Sequence, residues 1–156
     1  MKQLWVEKYR PNSVDGYVFR DESQREQIKG WIDSGSIPHI LLSGSAGLGK
    51  TTIAKILINQ LDVQDTDVMI ANGSKEARKI EWVDKLITFC QTMPFGDFKV
   101  VLIDEADYMN INSVQPALRN LMEDYSHSVR FILTCNYPNK IMPAIHSRCQ
   151  HMHIAK

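Results

Sequence analysis

Apolar positions recur along this chain in two alternating rhythms, and the alternation predicts its layers. Over residues 23–32, Ile28, Trp31 and Ile32 fall on one helical face. Gly35 and Pro38 then break the pattern. His39-Ile40-Leu41-Leu42 follows as a short, continuously apolar run that stops before Gly44. Such a run is the signature of a strand covered on both faces. From Lys50 the helical spacing returns in Ile53, Ala54, Leu57, Ile58 and Leu61. Residues 67–71 predict a second strand, closed by Asn72-Gly73, and residues 77–92 a helix striped by Ile80, Val83, Leu86, Ile87 and Cys90. Beyond Pro94 and Gly96 come a strand over 98–103, a helix over 113–125 and a strand over 129–134. A short helix over 141–145 and a strand over 150–154 complete the series. Pro116 falls in a first helical turn, where no internal donor is lost, and a tightened turn is expected there. Residues 1–16 show no period and contain Pro11 and Gly16; they read as an arm.

Apolar strands alternating with helices predict an α/β fold with a five-stranded parallel sheet and helices on both faces. Ligands of such sheets bind at the carboxyl ends of the strands. At 156 residues the chain suits one domain. With 44% apolar and 23% charged residues, its composition excludes disordered and collagen-like classes. No apolar run approaches the roughly 20 residues of a membrane helix, and no membrane partner is expected. The first residues lack the apolar core of a signal peptide. Eighteen basic and eighteen acidic side chains cancel, so any nucleic-acid contact must come from a local group of cations or backbone donors. Three widely spaced cysteines, Cys90, Cys135 and Cys149, fit a reducing compartment better than a disulfide framework. Cys149, His151 and His153 lack the spacing of a structural zinc site, and period two suits one face of a strand.

The chemistry is concentrated at three strand ends. Gly44-Ser45-Ala46-Gly47-Leu48-Gly49-Lys50-Thr51 fits the phosphate-loop pattern in full, between a predicted strand and a predicted helix. Glycines let successive backbone N–H groups curl around a phosphate, and the helix start adds partial positive charge. Lys50 is placed to reach the β- and γ-phosphates and the Thr51 hydroxyl to ligate Mg²⁺, with Thr52 beside it. Val100-Val101-Leu102-Ile103-Asp104-Glu105 is an apolar strand ending in acids. Asp104 is the expected second Mg²⁺ ligand, and Glu105 the general base that orients and deprotonates water. The fourth strand ends in Asn136, whose amide is expected to touch both the γ-phosphate and that water.

Taken in order, these three motifs resemble those of the AAA+ ATPases: a Walker A motif at 44–51, a Walker B motif at 100–105 and a sensor at Asn136. Further segments resemble the clamp-loader small subunits of the replication factor C and phage type. They are Trp5-Val6-Glu7-Lys8-Tyr9-Arg10-Pro11, Ala117-Leu118-Arg119-Asn120-Leu121-Met122-Glu123-Asp124-Tyr125 and Pro143-Ala144-Ile145-His146-Ser147-Arg148-Cys149. The resemblance implies an arm, residues 1–16, closing over adenine through Val6, Tyr9, Arg10 and Pro11, with Val18 adding an apolar contact. It implies that residues 17–156 are the ATPase core. Arg148 becomes an arginine finger acting on ATP bound to a neighbouring subunit, a role that suits guanidinium geometry, and Arg119 a weaker candidate of the same kind. Lys75, Arg78 and Lys79, at an expected helix start, become contacts to DNA phosphates.

The function so implied is a clamp-loader subunit: ATP and Mg²⁺ as ligands, and other loader subunits, a sliding clamp and primer–template DNA as partners. The helical lid and collar domain that such subunits carry are not found within these 156 residues. Three alternatives stand beside it. One is a branch-migration motor, where Gly47-Leu48-Gly49-Lys50-Thr51-Thr52 also occurs. Another is an assembly module that binds ATP without turning it over. The last is a small-molecule P-loop kinase, for which no acceptor pocket or lid is evident.

Overall fold

The computed structural model describes residues 21–47 and 49–154. Helix α1 (Glu22–Ser34) starts where the Asp21 carboxylate accepts the Ser23 N–H, and ends at Gly35, left-handed at φ 77°. Then come β1 (Ile40–Ser43), α2 (Lys50–Gln60), β2 (Val68–Asn72), α3 (Glu81–Gln91) and β3 (Lys99–Asp104). Helix α4 (Val114–Asp124), β4 (Val129–Cys135), α5 (Pro143–His146) and β5 (Gln150–His153) follow. All neighbouring strands are parallel, in the order β2-β3-β4-β1-β5. Ile40 sits level with both Ile132 and Gln150. The helix-on-both-faces expectation follows from strand alternation. Val101, Ile103, Phe131 and Leu133 join the core under α3 and α4, whereas Val100, Leu102 and Ile132 join the one under α1 and α2.

Polar side chains pin the inner strands. His39 bridges α4 and β4: its Nδ1 accepts the Phe131 N–H at 3.1 Å and its Nε2 lies 3.1 Å from the Met122 carbonyl. Since Nδ1 accepts, Nε2 carries the proton and donates. Lys99, buried at the start of β3, donates to the Phe89 carbonyl (2.7 Å) and to Thr92 Oγ1, and lies 4.4 Å above the Phe89 ring. An ammonium there satisfies one orphan carbonyl of the α3 end and complements its dipole. Ser43 Oγ lies 2.7 Å from His151 Nε2 and 3.0 Å from His153 Nδ1, so both histidines fall on one face of β5.

Three local features differ from the sequence pattern, beyond shifts of a residue or two at other element ends. Asp67 lies before β2 rather than in it, because its carboxylate accepts the Phe95 and Gly96 N–H groups (2.9 and 2.8 Å). The helix expected from Ala77 begins at Glu81, and Glu76–Arg78 is a separate 3-10 turn. Local side-chain bonds hold the chain out of helix there. Glu76 accepts the Asn72 N–H at 2.9 Å, and Asn72 Oδ1 accepts the Ser74 N–H at 2.8 Å. Pro116 does not tighten the first turn of α4, which keeps the α-type bond from the Ala117 N–H to the Ser113 carbonyl (3.3 Å).

Candidate nucleotide site

The phosphate loop leaves β1 at the carboxyl edge of the sheet. Its Gly47 and Gly49 both take φ 82°, where a side chain would be strained. Gly49 is the N-cap of α2, so Lys50 opens that helix. The Lys50 ammonium folds back over the loop, donating to the carbonyls of Gly44 (2.6 Å) and Ser45 (3.0 Å) and to Asn136 Oδ1 (2.9 Å). Burial lowers its pKa, opposed by the nearby Asp107 and Asp104 carboxylates. These three acceptors hold the cation where phosphate oxygens would otherwise neutralise it.

Thr51 Oγ1 donates to Asp104 Oδ1 at 2.8 Å, and Thr134 Oγ1 reaches the same oxygen at 3.0 Å. A hard oxygen pair at that separation suits Mg²⁺. Ligands about 2.05 Å from the ion on adjacent octahedral vertices lie about 2.9 Å apart. The residues therefore fit the ion.

Glu105 takes φ 52° and ψ 45°, a left-handed conformation costing a non-glycine residue about 1–3 kcal/mol. Its N–H donates to Thr134 Oγ1 at 3.2 Å, and its Oε2 lies 2.7 Å from Ser74 Oγ. Gly73 donates to the Asp104 carbonyl at 2.7 Å, and a β-carbon on it would collide with the Glu105 carbonyl. Asp107, one turn on, accepts the N–H groups of Asn136 (3.2 Å) and Tyr137 (3.0 Å) through Oδ2, fixing the backbone that presents Asn136.

A cleft of about 540 Å³ is lined by Ala46, Gly47, Gly49, Lys50, Thr51, Thr52, Asp104, Glu105 and Asn136, with Asn72, Thr134 and Cys135 completing it. Its residues thus come from the ends of β1, β2, β3 and β4. Burial pushes the Cys135 thiol up to about 12, so it supplies no thiolate at neutral pH. Pattern reading missed Ser74, Gly73, Thr134 and Asp107. The end of β2 carried the available signal, since every strand of a parallel sheet delivers its next residues to this edge.

Other expected residues lie elsewhere. Val6, Tyr9, Arg10, Pro11, Val18 and Leu48 are outside the described residues. Lys75, Arg78 and Lys79 are exposed around the 3-10 turn after β2, not on a helix start. Arg148 precedes β5, whose four residues alone span about 10 Å, so it stands at the opposite edge of the sheet from its own phosphate loop. There its Nη2 pairs with Glu123 at 2.8 Å. Arg119, on α4, donates to Asn120 Oδ1 at 3.0 Å.

The model of the AAA family, the ATPases associated with various cellular activities, matches residues 40–155. This chain belongs to the AAA ATPases. The AAA domain is 43% identical over 154 residues to the replication factor C small subunit of Methanococcus vannielii, covering 96% of this chain and 48% of that protein. The replication factor C small subunit of Archaeoglobus fulgidus is 42% identical over 151 residues, covering 94% and 47%. The chain therefore spans about half the length of these curated relatives. Among solved structures, the AAA fold superposes on a RuvB variant from Thermotoga maritima with a TM-score of 0.75 at 21% identity, over 94% of this chain and 49% of that one. A DNA polymerase III gamma subunit-related protein of the same organism gives 0.70 at 17% identity, over 84% and 45%. At these identities the structural likeness speaks to the fold.

Proposed function

We propose that this AAA domain binds and hydrolyses ATP as the motor core of a DNA clamp-loader subunit. The observation that carries the chemistry is the convergence of Lys50, Thr51, Asp104, Glu105 and Asn136 on one cleft. The specific role draws support from the likeness to replication factor C small subunits over 96% of the chain. The RuvB likeness at 21% identity adds no comparable support for a branch-migration motor.

Each residue then has a task. Lys50 exchanges its three protein acceptors for phosphate oxygens and neutralises charge that grows during transfer. Thr51 and Asp104 hold Mg²⁺, which when bound supplies charge stabilisation to the phosphates. Glu105 leaves Ser74, takes a proton from the attacking water and aligns it. Asn136, released by Lys50, orients the γ-phosphate against that water. Arg148 serves a neighbouring subunit, because its own site lies at the far edge of the sheet. Val6, Tyr9, Arg10 and Pro11 cover the adenine, Ser45 and Leu48 complete the phosphate loop, and Lys75, Arg78 and Lys79 meet primer–template phosphates.

One surface fits a protein partner. Met93 and Phe95, 83% and 78% exposed, crown the turn between α3 and β3. That turn lies at the amino edge of the sheet, away from the cleft. Two large apolar side chains left in water within one turn mark a contact, and the sliding clamp is the partner assigned to it.

The test is ATP hydrolysis per chain against chain concentration, for wild type, Glu105→Gln and Arg148→Ala. Hydrolysis that rises with concentration and is lost in both variants supports a site completed in trans. A flat curve indifferent to Arg148 removes the trans finger, and an active Glu105→Gln removes the assigned base.

A further inference from the structure

We propose that Glu123 is a latch on Arg148: it holds the guanidinium in cis until the triphosphate of a neighbouring chain displaces it. The inference rests on the reading of Arg148 as a trans finger. Glu123 lies in the last turn of α4 and Arg148 two residues before β5, so the fold brings them together at the amino edge of the sheet. Arg148 Nη2 meets Glu123 Oε2 at 2.8 Å, and Arg148 Nη1 donates to the Ala144 carbonyl at 2.9 Å, one turn back. Two of the five guanidinium N–H donors are therefore engaged, one on each terminal nitrogen. The Glu123 carboxylate occupies the Nη2 side of the fork that a phosphate would take, so the two anions compete for the same edge.

Exposure sets the strength of the latch. The Glu123 side chain is 62% exposed and that of Arg148 27%. Water and salt screen such a pair, whose net worth is small. A fully buried pair could not open without stranding a charge. A triphosphate carries more charge than one carboxylate, and Glu123 takes only a single bond from the guanidinium, so the triphosphate wins the exchange where it is present. In its absence Glu123 keeps the arginine off other anions. The pair is thus strong enough to bias Arg148 and weak enough to yield to ATP.

The experiment compares Glu123→Gln and Glu123→Asp in wild-type and Arg148→Ala backgrounds. ATP hydrolysis per chain and ATP-dependent self-association by sedimentation velocity are both followed against chain concentration. With the latch removed in Glu123→Gln, the half-maximal concentration falls by up to about fivefold, while the rate at saturation is unchanged. Glu123→Asp, which keeps the charge, stays closer to wild type. The Glu123→Gln effect disappears in the Arg148→Ala background and shrinks as salt is raised. An unchanged or raised half-maximal concentration, or an effect that persists without Arg148, overturns the latch. If Arg148→Ala abolishes trans hydrolysis while Glu123→Gln does nothing, the finger stands and the latch alone falls. If Arg148→Ala changes neither hydrolysis nor association, the finger reading fails and the latch fails with it.

Discussion

Glu105 has to satisfy two demands that pull against each other. Its backbone is bent into the left-handed region, and its carboxylate, the assigned base, rests on Ser74 at 2.7 Å. That hydrogen bond holds the carboxylate on Ser74, away from the water that the proposed base would deprotonate. Glu105→Gln keeps the shape and removes the basicity. Nucleotide affinity by calorimetry should stay within about twofold, while turnover drops by roughly 10²- to 10⁴-fold, the usual worth of a positioned base. Retained turnover would mean that another group takes the proton. Gly73→Ala probes the backbone instead. The added methyl group meets the Glu105 carbonyl, which is main chain and cannot swing aside. Overpacking of this kind costs about 1–3 kcal/mol, so thermal melting should shift down, and hydrolysis should fall with it as Glu105 is displaced. A variant as stable and active as wild type would show that the β2–β3 edge can relax.

At the scale of elements, the apolar rhythm was enough to lay out the sheet. Strands β1, β3 and β4 are buried along almost their whole length, and continuous burial leaves an unbroken apolar run in sequence. The phosphate loop and the acids after β3 were legible because their chemistry is carried by consecutive residues. What stayed hidden was built from pairs distant in sequence, such as Ser74 with Glu105, Asp107 with the Asn136 backbone, and Glu123 with Arg148. The late start of α3 was hidden for another reason: bonds from the Asn72 and Glu76 side chains outcompete helix over a few residues. His39 is a further cross-element tie and gives the fold a pH dependence. Burial lowers its pKa, with Arg130 acting in the same direction and the Met122 bond opposing. The unfolded chain therefore takes up the proton more readily than the folded one. Stability is complete above the ordinary histidine value of about 6.5 and declines as pH falls below it. Urea unfolding between neutral and mildly acidic pH should show that decline in wild type and a shallower one in His39→Gln. His151, also lowered chiefly by burial, leaves a residual slope. Equal slopes in the two proteins would show that His39 does not titrate across the transition.

For the molecule as a whole, the parallel sheet separates tasks by edge. The nucleotide cleft and the Lys75, Arg78 and Lys79 turn lie beyond the carboxyl ends of the strands, and Arg148, Met93 and Phe95 lie at the amino ends. Net charge is zero, so the proposed DNA contact has no global field to draw on. On that proposal, affinity comes from a few cations releasing counterions as they meet phosphates. Each such contact contributes about 0.9 to the slope of log affinity against log salt on duplex DNA. Changing Lys75, Arg78 and Lys79 together to Ala should therefore weaken binding to primed DNA and flatten that slope by up to about 3. The loss should be the same for any sequence, since phosphates carry no sequence information. ATP affinity should be unaffected, because none of the three lines the cleft. An unchanged slope would move the DNA surface to another face. A loss that varied with DNA sequence would mean these side chains read bases rather than backbone. The partner edge calls for the opposite substitution, from apolar to charged. Met93→Asp with Phe95→Asp removes nothing from the folded core, since both side chains are already in water. The variant should melt like wild type and keep its concentration-dependent hydrolysis. Its affinity for the sliding clamp, measured by surface plasmon resonance, should fall by at least about tenfold, the loss of about 1.4 kcal/mol that one good apolar anchor supplies. Clamp binding that survives both charges would leave this apolar pair without a role in clamp loading and shift the contact to another surface.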